Sequence, residues 1–387
     1  MVNREVYLDN SSTTPMHPEV LKEMQNLLER KYGNPSSLHR LGSDAERTLS
    51  SSRQLLAEQL GVKSGEIYFT SGGTESNNMA LSGIARRNYR RGKHLVTSKT
   101  EHSSVLEPIK KLELEGFQVA YLEPDRNGFL DPLQLAETVT PKTILVSIMH
   151  VNNEIGTIQP ITDITASIKR KNPQTIVHVD AVQSFTRLPL SPREQGIDIL
   201  SISAHKFHGP KGTGALYIRE GILAEPLLAG GEQEKGLRAG TENTPGISAM
   251  ALAARLNSEN RKEKTAQLKI FKEKMLSSIE TAHPWARING PRKGEGAPNI
   301  LNISFPGLKG EIILHALEEH NIFVSTGSAC HSRKNKPSHV LEAIGAKKAA
   351  LDGAIRMSFS CMNTTEEIEY AASKIPQVIS ELKAFMS

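Results

Sequence analysis

Short apolar runs that alternate with helical patterns are the feature that most limits how this 387-residue chain can fold. Seven such runs are predicted to be strands: Ile67–Thr70, His94–Thr97, Gln118–Leu122, Thr143–Ile148, Ile176–Asp180, Ile197–Ile202 and Ala215–Ile218. Helical patterns such as Glu75–Arg91 and Ser103–Glu115 fall between several of them. This alternation favours an α/β fold with a mostly parallel central sheet flanked by helices. Ligands of such sheets bind beyond the carboxyl ends of the strands.

A second region follows this sheet in the sequence. The stretch from Pro245 to Ala282 is predicted to be helix, because no proline or glycine lies between Gly246 and Pro284. The patterns after it mix strand and helix: Asn299–Phe305, Glu311–Glu318, Ile355–Ser360 and Thr365–Phe385. We therefore predict a large domain of residues 16–258 and a smaller α+β domain that includes residues 259–387.

The composition argues against several classes of protein. The formal net charge is +5, but basic and acidic residues are interspersed, so we expect no direct contact with nucleic acid. No apolar stretch approaches the length of a membrane span, and the first residues lack the pattern of a signal peptide. The two cysteines are too few for a disulfide framework or a four-cysteine metal site, and we expect no metal. These features together predict a cytoplasmic protein.

Two predicted strands end in residues whose chemistry suits one cofactor. The first ends at Asp180, and the next leads through small polar residues to Lys206. A lysine amine can form a Schiff base with the aldehyde of pyridoxal 5′-phosphate (PLP), and an aspartate can keep the pyridine nitrogen protonated. Each residue alone is more often a loop or turn residue. On neighbouring strand ends the two residues suit PLP, and the family resemblance described next makes PLP the predicted cofactor.

The sequence around these two residues resembles a known family. The blocks His178–Gln183 and Ser203–Gly212 are similar to those of cysteine desulfurases of the NifS/IscS type, and the similarity extends from Tyr7 to about Ser360. The resemblance implies a class V, fold-type I PLP enzyme that works as a homodimer. It also implies that residues 1–15 join the smaller domain.

A strand, a turn of small residues and the start of a helix follow one another across Phe69–Asn77. Free backbone N–H groups at a helix start attract a phosphate, and glycines let the backbone approach it closely. An ordinary capped helix is the alternative for this segment taken alone. The resemblance implies that Gly73, Thr74, Ser203 and His205 contact the phosphate of PLP.

The resemblance also implies which residues contact the cofactor ring and the substrate. His102 would stack on the ring and act as an acid or base. Gln183 would donate a hydrogen bond to the phenolic oxygen of the ring, and Asn153 would contact that oxygen or the substrate. Thr241, in the glycine-rich stretch 230–243, would reach the phosphate bound by the partner subunit.

The segment Val324–Ser338 contains the predicted nucleophile, Cys330. Basic residues that follow it closely favour the reactive thiolate form of its side chain. The other cysteine, Cys361, ends an apolar strand and fits an inert small hydrophobe better. The Ser-Ala-Cys stretch at Cys330 resembles the sulfur-accepting loop of desulfurases. The resemblance further implies that the guanidinium of Arg356 binds the substrate carboxylate.

These expectations combine into one prediction, a PLP-dependent cysteine desulfurase. Lys206 would remove the Cα proton of L-cysteine, and Cys330 would attack the sulfur to leave L-alanine and a persulfide. The persulfide would pass to an acceptor such as an iron–sulfur scaffold protein, or toward thiolated tRNA or sulfur cofactors. Selenocysteine lyase, a class V aminotransferase and a sulfur-relay platform with an inactive PLP site remain alternatives.

Overall fold

A computed structural model describes residues 5–292, 294–326 and 337–386 of the protein. Its strands are β1 Val6–Tyr7, β2 Ile67–Thr70, β3 His94–Ser98, β4 Gln118–Leu122, β5 Thr143–Met149, β6 Ile176–Asp180, β7 Ile199–Ser203, β8 Gly214–Ile218, β9 Arg287–Ile288, β10 Ile300–Ser304, β11 Ile322–Phe323 and β12 Ala354–Ser358. Its α-helices are α1 Pro18–Arg30, α2 Arg40–Leu60, α3 Gly73–Asn78, α4 Ile84–Asn88, α5 Ser103–Leu114, α6 Pro132–Thr138, α7 Ile161–Lys171, α8 Thr244–Ser258, α9 Arg261–Ala282, α10 Gly310–Glu318, α11 His339–Ala343, α12 Lys348–Asp352 and α13 Thr365–Met386. A π-helical turn, Met79–Gly83, joins α3 to α4, and 3₁₀ turns lie at Ser64–Glu66, Ala204–Lys206 and Gln233–Gly236. Within these ranges, no helix combines the length and the apolar character needed to cross a membrane.

Seven strands form the main sheet, in the order β2-β8-β7-β6-β5-β3-β4. The strands from β4 across to β7 run parallel to one another, whereas β8 runs antiparallel to both of its neighbours. The predicted α/β fold with a mostly parallel central sheet is confirmed. Each strand predicted in this sheet is present, with ends that differ from the prediction by at most two residues.

The central strands are buried on both faces because helices cover both sides of the sheet. Every residue of β5 and of β6 is buried. Alternate residues of β6 enter different cores: Val177 packs with residues of α2 and α7, whereas Ile176 packs with residues of α4 and α5. The sheet faces are therefore filled mostly with apolar side chains. An exception is His178, whose buried ring forms hydrogen bonds with Ser147 and Ser201 on the neighbouring strands.

A second sheet has the order β12-β10-β9 and packs against α9 and α13. The first strand of the chain contacts this region, because β1 pairs in parallel with β11. In addition, the N–H of Ser358 donates a hydrogen bond of 2.6 Å to the carbonyl oxygen of Leu8. The N-terminal segment thus lies against the C-terminal part of the chain, while the domain limits 1–15, 16–258 and 259–387 stay a prediction.

The helical stretch predicted from Pro245 to Ala282 is interrupted. Helix α8 ends at Ser258, and Asn260 adopts the left-handed conformation, with φ of +52°, before α9 begins. Asparagine reaches this conformation more easily than most residues do. A stretch free of glycine and proline can therefore still turn, and a single uninterrupted helix is the wrong description of this segment.

Candidate active site

A cavity of about 430 Å³ lies at the carboxyl ends of β6 and β7. Its lining includes ten of the residues predicted from the sequence: Gly73, Thr74, His102, Asn153, Asp180, Gln183, Ser203, His205, Lys206 and Arg356. Thr241 is exposed and is not part of the lining. Cys330 lies outside the described residues, so its predicted role stays a prediction.

Lys206 reaches the cavity from the 3₁₀ turn that directly follows β7. Its Nζ donates hydrogen bonds to the backbone oxygens of Ser11, at 2.6 Å, and Ser12, at 2.7 Å. These two carbonyl oxygens orient the amine. No sequence signal marks Ser11 or Ser12, because the contact is made by their backbone and not by their side chains.

The carboxylate of Asp180 is buried and held on both of its oxygens. Oδ1 accepts a hydrogen bond from the N–H of Val182 at 2.9 Å, and Oδ2 accepts one from Nδ2 of Asn77 at 2.8 Å. Nδ2 of Asn77 also donates to Oγ of Ser104 at 2.8 Å. Asn77 was not selected from the sequence, although it lies within the strand–turn–helix segment that was. Its amide fixes the orientation of the carboxylate.

The same hydrogen-bond network determines which nitrogen of the neutral His102 ring carries the proton. His102 caps the start of α5, and its Nδ1 accepts a hydrogen bond from the N–H of Ser104 at 3.1 Å. Nδ1 also lies 2.8 Å from Oγ of Ser104. Because Nδ1 is an acceptor, the neutral ring carries its proton on Nε2. The ring thus belongs to a hydrogen-bonded chain that runs through Ser104 and Asn77 to Asp180.

The end of the cavity near Gly73 has room and charge for an anion. A Cβ atom at Gly73 would lie 2.8 Å from Cγ2 of Val182, so only glycine leaves the helix start open here. Burial, together with the positive charges of Lys206 and Lys211, lowers the pKa of His205 to about 4. The ring of His205 is therefore neutral at pH 7, and the positive charges that act on it also favour an anion such as a phosphate at this end of the cavity.

Arg356, in β12, is buried and is held by the N-terminal segment. Its Nη2 donates to Oδ1 of Asp9 at 2.6 Å and to Oγ of Ser12 at 2.7 Å, and its Nη1 donates to the backbone oxygen of Asn153 at 3.0 Å. A guanidinium has five N–H donors, so these contacts leave two of them for another acceptor. A surface salt bridge, the ordinary alternative for this arginine, does not describe a buried group that lines a cavity.

Both described flanks of the Cys330 segment lie at the cavity. Before the segment, Ser325 and Arg356 exchange backbone hydrogen bonds of 3.0 and 2.6 Å. After it, Oγ of Ser338 donates to Oε2 of Glu154 at 2.5 Å, and Nε2 of His339 lies 2.9 Å from the backbone oxygen of Glu101. The described residues on either side of the segment therefore contact residues that line the cavity.

Two buried acids at this wall were missed by the sequence analysis. Burial raises the pKa of Glu154 to about 7, although the Ser338 hydrogen bond and the charge of Arg356 oppose the rise. Burial also raises the pKa of Glu101 well above its usual range. Glu154 follows Asn153 in a turn closed by the side chain of Asn152. Its position directly after a predicted site residue was the available signal.

The residues that line this cavity fit PLP. Oε1 of Gln183 and Nε of Arg356 are buried, and the described part of the chain offers them no hydrogen-bond partner. Buried polar atoms are nearly always satisfied, often by a ligand or water. Nε2 of Gln183 donates to the backbone oxygen of Ser11 at 2.9 Å and keeps a second hydrogen for a ligand. No group of metal-ligating side chains appears among the described residues.

Comparison with known proteins agrees with this arrangement. The family model for class-V aminotransferases matches residues 6–371. The cysteine desulfurase IscS of Dictyoglomus turgidum is 44% identical over 382 residues, which cover 99% of this chain and 96% of that protein. The cysteine desulfurase IscS of Methanosarcina thermophila is 42% identical, and the match covers 98% of this chain and 93% of that protein.

Solved structures give the same result for the whole fold. A NifS-like protein superposes with a TM-score of 0.92 at 40% identity, over 98% of this chain and all of that one. A structure of SspA in complex with cysteine superposes with a TM-score of 0.80 at 34% identity, over 93% of this chain and all of that one. The chain therefore belongs to the aminotransferase class-V family and, within it, to the cysteine desulfurases of the NifS/IscS type.

Proposed function

We propose that this cavity binds PLP and removes sulfur from L-cysteine, giving L-alanine and a persulfide on Cys330. One observation carries the proposal: the Lys206 amine, the Asp180 carboxylate and the Arg356 guanidinium line a single cavity. The described flanks of the Cys330 segment lie on the wall of the same cavity. The relatives that are named for this activity match nearly the whole chain.

Each part of PLP has a counterpart in the cavity. PLP supplies, when bound, an electron-withdrawing ring that stabilises negative charge at the Cα of an amino acid. Lys206 would hold its aldehyde carbon, Asp180 its ring nitrogen and Gln183 its phenolic oxygen. His102 would lie on the ring. The residues that would hold the phosphate are Gly73, Thr74, Ser203 and His205.

The chain's own groups then divide the work on L-cysteine. Arg356 binds the carboxylate through the donors that Asp9, Ser12 and Asn153 leave available. The Lys206 amine, oriented by backbone carbonyls, takes the Cα proton. The proton on Nε2 of His102 makes its ring a donor to the substrate, and Asn153 also lines the cavity.

The sulfur transfer balances without an added oxidant or reductant. The Cys330 thiolate attacks the substrate sulfur and forms a new S–S bond while the substrate's Cβ–S bond breaks. The bonding electrons pass to the Cβ side, where a proton completes the methyl group, and the return of a proton to Cα gives L-alanine. The sulfur that remains on Cys330 is a persulfide, ready for a thiol acceptor.

Two further parts of the proposal concern the surroundings of the site. Thr241 is exposed and lies outside the cavity of its own chain, which supports a homodimer in which Thr241 completes the partner's phosphate site. A sulfur-acceptor protein, such as an iron–sulfur scaffold, would take the persulfide sulfur. The cytoplasmic location stays a prediction from the sequence.

Mass spectrometry can test the proposal at two residues. Borohydride reduction of the purified protein should fix PLP to Lys206, and incubation with L-cysteine should add one sulfur atom to Cys330. Cys330→Ser should abolish alanine production, whereas Cys361→Ser, the matched control, should not. Full alanine production by Cys330→Ser would contradict the mechanism, and faster turnover of L-selenocysteine than of L-cysteine would favour a selenocysteine lyase.

A further inference from the structure

A cationic side chain lies behind the cavity and contacts the backbone of two of its residues. Nη2 of Arg187 donates a hydrogen bond of 2.5 Å to the backbone oxygen of Lys206, and Nη1 donates one of 3.2 Å to the backbone oxygen of Gln183. Arg187 itself does not line the cavity. One guanidinium therefore joins the strand end that carries the amine to the turn that carries the amide.

The backbone brings Arg187 to this position through an unfavourable conformation. Thr186, the residue before it, has φ of +67°, which is costly for a β-branched side chain. A tight turn follows Gln183, because the N–H of Arg187 donates to the backbone oxygen of Ser184 at 3.0 Å. The turn thus sends the side chain back beneath Gln183 and toward Lys206, and the surrounding contacts hold it in this strained form.

Arg187 has no carboxylate partner among the residues that the structure describes. Its burial lowers its pKa to about 10, so the side chain keeps its charge at neutral pH. Arg187 is half-buried, and taking even part of a charge out of water without a counter-charge is costly. Backbone oxygens that accept charge-assisted hydrogen bonds offset part of that cost, and they are in turn fixed in place.

Other residues form hydrogen bonds with the 3₁₀ turn Ala204–Lys206 and with the residue after it. The backbone oxygen of His205 accepts hydrogen bonds of 2.9 Å from both the N–H and Oγ1 of Thr14. The backbone oxygen of Phe207 accepts one of 2.8 Å from Nδ2 of Asn257. Arg187 binds the backbone oxygen of Lys206, the residue between these two, and it also binds the backbone oxygen of Gln183.

We propose that Arg187 is a positioning residue that sets the distance between the Lys206 amine and the Gln183 amide by binding both backbone oxygens from behind the cavity. The inference rests on the proposed function, because the distance matters through PLP. With the guanidinium in place, the Lys206 amine and the Gln183 amide keep a fixed separation. That separation would match the aldehyde carbon and the phenolic oxygen of one rigid ring. Without the guanidinium, each of the two groups can move independently, and the ring fits less well.

The test compares Arg187→Met, which keeps the length but no donor, with Arg187→Lys, which keeps the charge and reaches one oxygen. Arg86→Met is the matched control, because Arg86 is a surface residue paired with Glu115. We expect Arg187→Met to weaken PLP binding to the apoprotein about tenfold and to lower kcat similarly, with little change in KM for L-cysteine. The PLP affinity and kcat of Arg187→Lys should lie between those of Arg187→Met and the wild type. Arg86→Met should match the wild type.

Two readouts separate positioning from general stabilisation. The pH at which the visible absorption of bound PLP changes should move in Arg187→Met, since it reports the surroundings of the Lys206 nitrogen. Added guanidinium should restore PLP affinity to Arg187→Ala, whereas sodium at equal ionic strength should not. If Arg187→Met lost only thermal stability, with unchanged absorption and affinity, the inference would be wrong. If wild-type protein carried no PLP on Lys206, the proposed function itself would fail.

Discussion

Replacing Glu154 by glutamine tests how strongly the cavity wall disfavours a negative charge. The side chain is buried, its pKa is raised to about 7, and its Oε2 contacts Ser338 at 2.5 Å. Glutamine has nearly the same shape and can still accept from Ser338, but it cannot ionise. The variant therefore removes the titration of the acid and leaves the packing almost unchanged.

The size of the pH effect on the free energy of unfolding follows from the pKa of Glu154 in the folded and the unfolded protein. The carboxyl has its ordinary pKa of 4.5 when unfolded and about 7 when folded. Between these values the unfolded chain loses a proton that the folded chain keeps, so the free energy of unfolding falls as pH rises through this window. Each pKa unit corresponds to about 1.4 kcal/mol, which gives a total loss of about 3 kcal/mol between acid and alkaline pH.

Chemical denaturation at pH 5 and pH 8 measures this loss. We expect the stability of wild type relative to Glu154→Gln to fall by roughly 2–3 kcal/mol over this range, with both proteins in the same cofactor state. Glu137→Gln, which changes an exposed acid, is the matched control and should show no such difference. A wild-type advantage that stayed constant or grew with pH would refute the reasoning.

Three further predictions concern the cavity. Asn77→Ala removes the amide that holds Asp180, and it should weaken PLP binding about tenfold or more when the apoprotein is titrated. Gly73→Ala places a Cβ atom 2.8 Å from a side-chain carbon of Val182, and it should lower PLP affinity in the same titration while the far-UV spectrum stays native. Arg356→Lys loses the planar fork, and steady-state assays should show KM for L-cysteine about tenfold higher with a smaller change in kcat. An unchanged PLP affinity in the first two variants, or an unchanged KM in the third, would contradict these assignments.

The main sheet could be predicted because its strands carry a strong local signal. Runs such as Thr143–Met149 are buried along their whole length, so their apolar character shows directly in the sequence. The break at Asn260 could not be predicted in the same way, because asparagine permits a left-handed turn without requiring one. The pairing of Val6–Tyr7 with Ile322–Phe323 joins segments far apart in the chain, and no local pattern signals it.

The site was predictable where side-chain chemistry is distinctive and unpredictable where the backbone acts. A lysine and an aspartate at strand ends point to a cofactor without any coordinates. A backbone carbonyl oxygen, by contrast, is present in every residue. Only the fold shows that those of Ser11 and Ser12 accept hydrogen bonds from Lys206. Glu154 falls between these cases, since its identity is informative but its burial depends on the tertiary packing around it.

The pairing of the first strand affects the order in which the protein can fold during synthesis. Val6–Tyr7 and Leu8 find their partners only at Ile322–Phe323 and Ser358, which the ribosome makes late. The carbonyl groups that orient the Lys206 amine directly follow that strand, so we expect them to become fixed only after residues 322–358 have been synthesised. A nascent chain that has already built its main sheet would therefore still lack a wall of the cavity, and the proposed binding of PLP would have to follow the synthesis of Ser358.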